Sequence, residues 1–398
     1  MAEAGFSRWH EALGRQRRLV AGLFGLCLGL LAPGLQAQEA LTGPATESRW
    51  LRLPPLYGRI TAHELGLVIN TADPYSVAVG EHYAKRRGIP AANILRVELP
   101  MRPSLTREEF ATLDEAVRAR LPDGVQGLAL AWVQPYAVEC NSLTSALGMG
   151  LQPGLCAQTC AVTKASAYPN YSGSRPWSVI GLRPAMQLAA RSVPAALAMI
   201  ERGIASDGQL AGRSAAQSGG PGGDGARAYL ATTPDAARNV RERLFPPAGP
   251  VPGVAGLEVV RVRSDALPPL RRTLIYETGL ARPAAFVGEW LPGALADHLT
   301  SFGGQLERSP ADGQMNVLDW LESGATASYG TVSEPCNHLQ KFPHPQLLLR
   351  SYAHGVSALE AYWRSVLWPG QGVFVGEPLA APFAAIAPQA PVASDASR

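Results

Sequence analysis

The stretch Gly324-Ala-Thr-Ala-Ser-Tyr-Gly-Thr-Val-Ser-Glu-Pro-Cys336 decides how the chain is read. Small residues alternate with Ala, Ser and Tyr up to Gly330, and Thr331-Val332 follow, the pattern of a buried strand. Ser333-Glu334-Pro335-Cys336 then leads into Asn337 and His338, an irregular loop rich in polar groups. Helical patterns flank the strand, from Gln314 to Ser323 and from Pro345 to Val366. A strand between two helices, with functional side chains past its carboxyl end, is where open α/β sheets place their sites.

Upstream, Leu65-Gly-Leu-Val-Ile-Asn70 is a short apolar run with β-branched residues and reads as a buried strand. Asp73 and Pro74 supply an N-cap and first turn for a helix that runs to Arg87 and stops at Gly88. Ile94 to Leu99 is a second strand, and Thr106 with Glu109 resembles a capping box for a helix to Arg120. Leu128 to Val133 is a third strand. This β-α-β-α-β order predicts an α/β three-layer sandwich with a mostly parallel central sheet.

The chain has 398 residues, 46% hydrophobic and 17% charged, ample for a large core. A net charge of +3 with no basic run excludes a nucleic-acid face. Arg15, Arg17 and Arg18 precede an apolar run from Leu19 to Leu31, and Pro33-Gly34 and Ala37 follow. That order predicts a signal peptide over residues 1–37 cleaved near Ala37, hence an exported protein, periplasmic or extracellular, with no membrane span left after cleavage. Cys27 falls inside the signal, so Cys140, Cys156, Cys160 and Cys336 remain. An even number of cysteines in an exported chain permits disulfides. The expected bridge is local, within Cys140, Cys156 and Cys160. A zinc site at Cys156/Cys160 would need a fourth ligand, and no His is near.

The expected organisation is one α/β domain over 38–380. An N-terminal part spans about 61–133, a cysteine-containing insertion 134–183, and a C-terminal part about 226–380. Helices are expected at Pro184 to Gly203, at Pro234 to Phe245 (a solvated basic face with Arg238, Arg241 and Arg243) and at Pro283 to Trp290. Short strands are expected at 228–231, 259–262 and 273–276. The glycine-rich run 218–225 lacks the Gly-Lys-Ser/Thr ending of a phosphate loop and reads as a linker. Residues 381–398, rich in Ala and Pro, read as a disordered tail.

Several segments carry a resemblance. Asn70-Thr-Ala-Asp-Pro-Tyr-Ser76, Tyr83 to Pro90, His298-Leu-Thr-Ser-Phe-Gly-Gly304, Gly324 to Cys336 and Gly376-Glu-Pro-Leu379 together resemble an exported bacterial family of uncharacterised proteins. More distantly, the C-terminal order resembles the catalytic half of gingipain-type cysteine peptidases, which have a caspase-like α/β fold. That order is a strand ending in Thr-Ser-x-Gly-Gly, a helix, a Gly-Ala strand with Tyr-Gly, another helix and a Gly-Glu-Pro close. The resemblance implies a caspase-like arrangement in the C-terminal half. In that family a His-Gly ends one strand and the nucleophilic Cys ends the next. Here the Cys position falls near Thr300 to Phe302, where no cysteine stands, and the His-Gly of this chain, His354-Gly355, falls inside a predicted helix.

Candidate chemistry gathers at the strand ends. Cys336 with His298, His338 or His344, or Ser301 with His298, would supply a nucleophile and base, and Glu334 a carboxylate beside them. Asp73, Asp297, Glu334 and His338 show no diagnostic metal spacing, so no metal and no cofactor is expected. Asn70, Asp73, Tyr329 and His338 are candidate ligand contacts. Three readings follow. The first is a non-catalytic or degenerate hydrolase relative. The second is an active peptidase-like hydrolase using Cys336 or Ser301. The third is a cell-envelope protein that binds a peptide or glycan through the same edge.

Overall fold

Two strand-helix repeats lie edge to edge. The N-terminal half runs β1 (Leu65–Asn70), α1 (Pro74–Arg87), β2 (Ile94–Val97), β3 (Ser104–Leu105), α2 (Arg107–Arg120), β4 (Gly127–Leu130), β5 (Ala137–Val138), β6 (Asn141–Ser142), α3 (Leu143–Met149), α4 (Pro176–Ile180), β7 (Ala185–Gln187) and α5 (Val193–Ser206). The C-terminal half runs β8 (Ala226–Thr232), β9 (Gly249–Pro250), β10 (Leu257–Arg263), β11 (Leu270–Thr278), β12 (Gly288–His298), α6 (Val317–Glu322), β13 (Ala327–Thr331), α7 (Pro345–Ala353), α8 (Ala358–Ser365) and β14 (Gly372–Gly376). The computed structural model describes residues 49–212, 225–308 and 313–385. The expected signal segment, most of the glycine-rich run and residues 386–398 lie outside them.

Eleven strands form one sheet in the order β2-β1-β4-β7-β14-β13-β12-β11-β8-β10-β9, while β3, β5 and β6 form a small second sheet. Neighbours in the large sheet are parallel except β13/β14 and β9/β10. Two parallel blocks therefore run in opposite directions and meet at the β13/β14 seam. The mixed α/β architecture with a mostly parallel central sheet is the one expected from the sequence. Helices cover both faces. Phe110, Leu113 and Val117 of α2 pack with Val68, Leu128 and Leu130. On the other face, Gly80 of α1 sits against Ile69 and Ala131.

Local chemistry explains the elements. Asp73 accepts a hydrogen bond from the Tyr75 amide, Pro74 opens α1, and Gly88 closes it with a left-handed φ of 66°. Thr106 and Glu109 form the expected capping box of α2. Every residue of β13 is buried, as its small-residue pattern requires. Gly330 is fixed by a close backbone approach: a Cβ there would stand 2.4 Å from the Gly303 carbonyl carbon. The turn continues to Gly304, whose N–H donates to Thr331 O at 2.9 Å. The Gly-Gly and Tyr-Gly motifs thus face one another across adjacent strand ends.

Several expectations are corrected. Residues 283–290 are not a helix; β12 begins at Gly288, and Phe286 stacks on Trp290 at 3.8 Å. The run 184–203 divides into β7 and α5, because Ser192 caps a helix that starts only at Val193. The run 345–366 is two helices, α7 and α8, broken at Gly355 with φ 88°. The segment around 234–245 carries a short 3-10 turn, Asn239–Leu244, and Arg241 there is buried rather than solvated. At the start of the expected disordered tail, residues 381–385 are packed: Ala381 N donates to Asp207 Oδ1 at 3.1 Å. Strand β14, unanticipated, occupies the seam.

Candidate functional site

The ends of β11, β12 and β13 bring most of the sequence candidates to one edge. Glu277 of β11 stands beside Asp297 of β12, and Thr278 beside His298. Successive residues of a strand point to opposite faces. His298 accordingly meets Trp320 of α6, whereas Asp297 meets Arg241.

His298 is buried, and both ring nitrogens are occupied. Trp320 Nε1 donates to Nδ1 at 2.9 Å. Nε2 lies 2.9 Å from the Met315 carbonyl, which can only accept, so Nε2 carries the proton. Burial pushes this imidazole down to about 4, so it is neutral near pH 7. No ring lone pair is left to take a proton from a nucleophile.

Cys336 is bonded to Cys160 across 176 residues, and Cys140 to Cys156. The local bridge expected in the insertion is therefore Cys140–Cys156, while Cys160 leaves it for the strand-end loop. A disulfide sulfur is not a thiolate nucleophile. Cys336 and Asn337 both adopt left-handed backbone, at φ 59° and 55°. Glu334 spends its carboxylate locally: Oε1 accepts from the Cys336 amide at 2.7 Å.

Ser301 is half-buried in the loop after β12, and its carbonyl accepts from Thr331 Oγ1 at 2.9 Å. Gln314 Oε1 pins the same loop by accepting from Thr300 Oγ1 at 2.7 Å and from the Phe302 amide at 3.0 Å. Ser301 thus shares the edge with His298 but finds no free base in it.

The ligand candidates separate. Val68 is level with Leu130, Leu130 with Gln187, and Gln187 with Val375, so Asn70 is level with Glu377, while Thr331 pairs with Gly372. At about 3.3 Å per residue and about 4.8 Å per strand, Asn70 lies roughly 17 Å along and roughly 19 Å across the sheet from the β13 end. Asn70 and Asp73 therefore occupy the opposite edge and cannot share a site with Cys336. Each is also committed structurally, since the Asn70 amide bridges both backbone groups of Leu99 and Asp73 caps α1. Tyr329 is buried, with its hydroxyl donating to Lys341 O at 2.5 Å. His338 is half-buried against Trp368. Among the described residues no three His, Cys, Asp or Glu side chains gather as a metal site, and no helix is long and apolar enough to cross a membrane.

Two features escaped sequence reasoning. Arg241 is buried between two carboxylates, 2.5 Å from Asp297 and 3.5 Å from Glu277, and also donates to Thr278 O at 2.9 Å. Both oxygens of Glu277 and Oδ2 of Asp297 have no hydrogen-bond partner among the described residues. Burial raises both carboxyls, and for Glu277 the neighbouring Asp297 adds to the rise against the pull of Arg241. The second feature is Lys341, fully buried, its Nζ donating to Thr159 O at 2.6 Å. Burial pushes its amine down to about 8. Its signal was compositional: lysine occurs only at Lys85, Lys164 and Lys341 in an arginine-rich chain.

No family model matches the chain, and no curated protein is similar to it in sequence. Among solved structures, a crystal structure of the Arg-specific cysteine proteinase gingipain R is similar with a TM-score of 0.38 and 9% sequence identity, covering 82% of this chain and 80% of that one.

Proposed function

We propose that the oxidised chain is a non-catalytic exported protein, a degenerate hydrolase relative with a caspase-like fold, that binds a peptide or cell-envelope component at the β12/β13 edge. The observation that carries this reading is the state of its two best catalytic candidates. His298 has both nitrogens hydrogen-bonded, and Cys336 has its sulfur bonded to Cys160. A general base needs a free lone pair within reach of the proton it takes, and a thiol mechanism needs a thiolate. The two disulfides are compatible with an oxidising compartment.

The test is incubation of the purified, oxidised protein with protein and peptide substrates and with serine- and cysteine-directed covalent probes. No turnover and no adduct are expected. Hydrolysis that disappears on Ser301→Ala or Cys336→Ala would overturn the reading in favour of an active hydrolase.

A further inference from the structure

Residues 153–162 of the insertion lie against the β13 loop with few fastenings. Among the described residues, the hydrogen bond that leaves this segment for the rest of the chain is the one from Lys341 Nζ to Thr159 O. The covalent fastening to the β13 loop is the next residue, Cys160, bonded to Cys336. Cys160 is exposed, so a dithiol can reach this disulfide. Beneath the segment Lys341 is fully buried, although lysine is rarely buried unless paired with a carboxylate, and its hydrogen bond goes to a carbonyl. The backbone on the other side of the disulfide is strained, with two consecutive left-handed residues that are not glycine, Cys336 and Asn337.

We propose that residues 153–162 form a redox-released strap over the amine of Lys341. A dithiol reductant exchanges with the Cys160–Cys336 bond. That S–S bond breaks, two thiols form with the two protons and two electrons the dithiol supplies, and the dithiol becomes a disulfide. The strap is then held at its start by Cys140–Cys156 and buried Leu155, while its far end keeps one hydrogen bond, which water can replace, and the strained Cys336–Asn337 pair is free to relax. Reduction uncovers a primary amine at the carboxyl edge of β13, beside the Glu334 carboxylate and a newly formed Cys336 thiol. This amine is a site for acylating reagents or for a carboxylate-bearing ligand. The inference stands on the insertion and does not require the binding reading above.

The test uses amine acylation by an N-hydroxysuccinimide ester, read per lysine by peptide mass spectrometry. Lys85 and Lys164 are exposed and serve as references within the same chain. A Cys140→Ser/Cys156→Ser protein makes Cys160–Cys336 the bond that responds. Dithiothreitol should raise Lys341 labelling relative to Lys85 by about tenfold or more, with near-ultraviolet circular dichroism retained, as for a local opening. If that background does not fold, Cys160→Ser/Cys336→Ser should show the same rise over the parent without reductant. Three results would overturn the proposal: Lys341 still protected after reduction, Lys341 already labelled as fast as Lys85 when oxidised, or loss of the near-ultraviolet signal together with exposure.

Discussion

Trp320 Nε1 donates to His298 Nδ1 at 2.9 Å, and this bond fixes the tautomer of the one histidine at the end of β12. The imidazole is then a neutral bridge between α6 and the Met315 carbonyl, and its ring is part of the packing rather than of a reaction.

The pH dependence of stability should carry this signature. The folded-state value of His298 is about 4, below the unfolded 6.5, so its contribution is present above pH 6.5 and is lost as pH falls towards 4. The full loss amounts to about 3 kcal/mol. The stability difference between His298→Gln and the parent should shift in the variant's favour by roughly that amount as pH falls from 7 to 4. Urea denaturation at several pH values measures it; a gap independent of pH would show that the imidazole is charged or exposed.

The Arg241–Asp297–Glu277 cluster should act with the opposite sign. Burial raises Glu277 above its ordinary value, so the native state holds that proton more tightly than the unfolded one. Its favourable contribution is present below about pH 4.5 and is lost as pH rises through the raised value. Glu277→Gln should therefore match the parent near pH 4 and exceed it by about 1–2 kcal/mol at pH 8. Equal stability at both ends, from the same denaturation series, would count against a protonated Glu277.

Arg241→Met should cost about 3–5 kcal/mol, because the buried Asp297 carboxylate, with Glu277 beside it, loses its cation. Adding Asp297→Asn and Glu277→Gln should recover much of that loss. A triple variant no more stable than Arg241→Met would mean that the arginine acts through shape rather than charge.

Gly330→Ala should destabilise by about 3 kcal/mol or more, since the added methyl meets backbone of Gly303 and Gly304 that has nowhere to retreat. Thermal denaturation would show it; a shift of the midpoint by less than a degree or two would remove the close approach from the explanation of these motifs.

Much of this was legible in the sequence, and for identifiable reasons. Caps are local chemistry, so Asp73 and Thr106/Glu109 announced α1 and α2 correctly. The small residues of 324–331 announced a buried strand because only small side chains allow its neighbours so close. What was hidden depended on distance along the chain. Arg241 read as a surface cation because its partner Asp297 lies 56 residues away. Strands β7 and β14 span three and five residues, too short for periodicity to separate them from adjoining helices. The opposite directions of the two parallel blocks, which divide Asn70 and Asp73 from Cys336, follow from pairing at the β13/β14 seam and leave no mark on either strand. Cysteine parity suggested bridges but not that Cys160 would reach Cys336.

The state of Cys336 is the most direct test of a non-catalytic oxidised form. Native, unreduced protein treated with an alkylating reagent and digested without reduction should yield a Cys160–Cys336 linked peptide and no alkylated Cys336. Stoichiometric alkylation of Cys336 in the folded protein would contradict it and restore the thiol as a nucleophile.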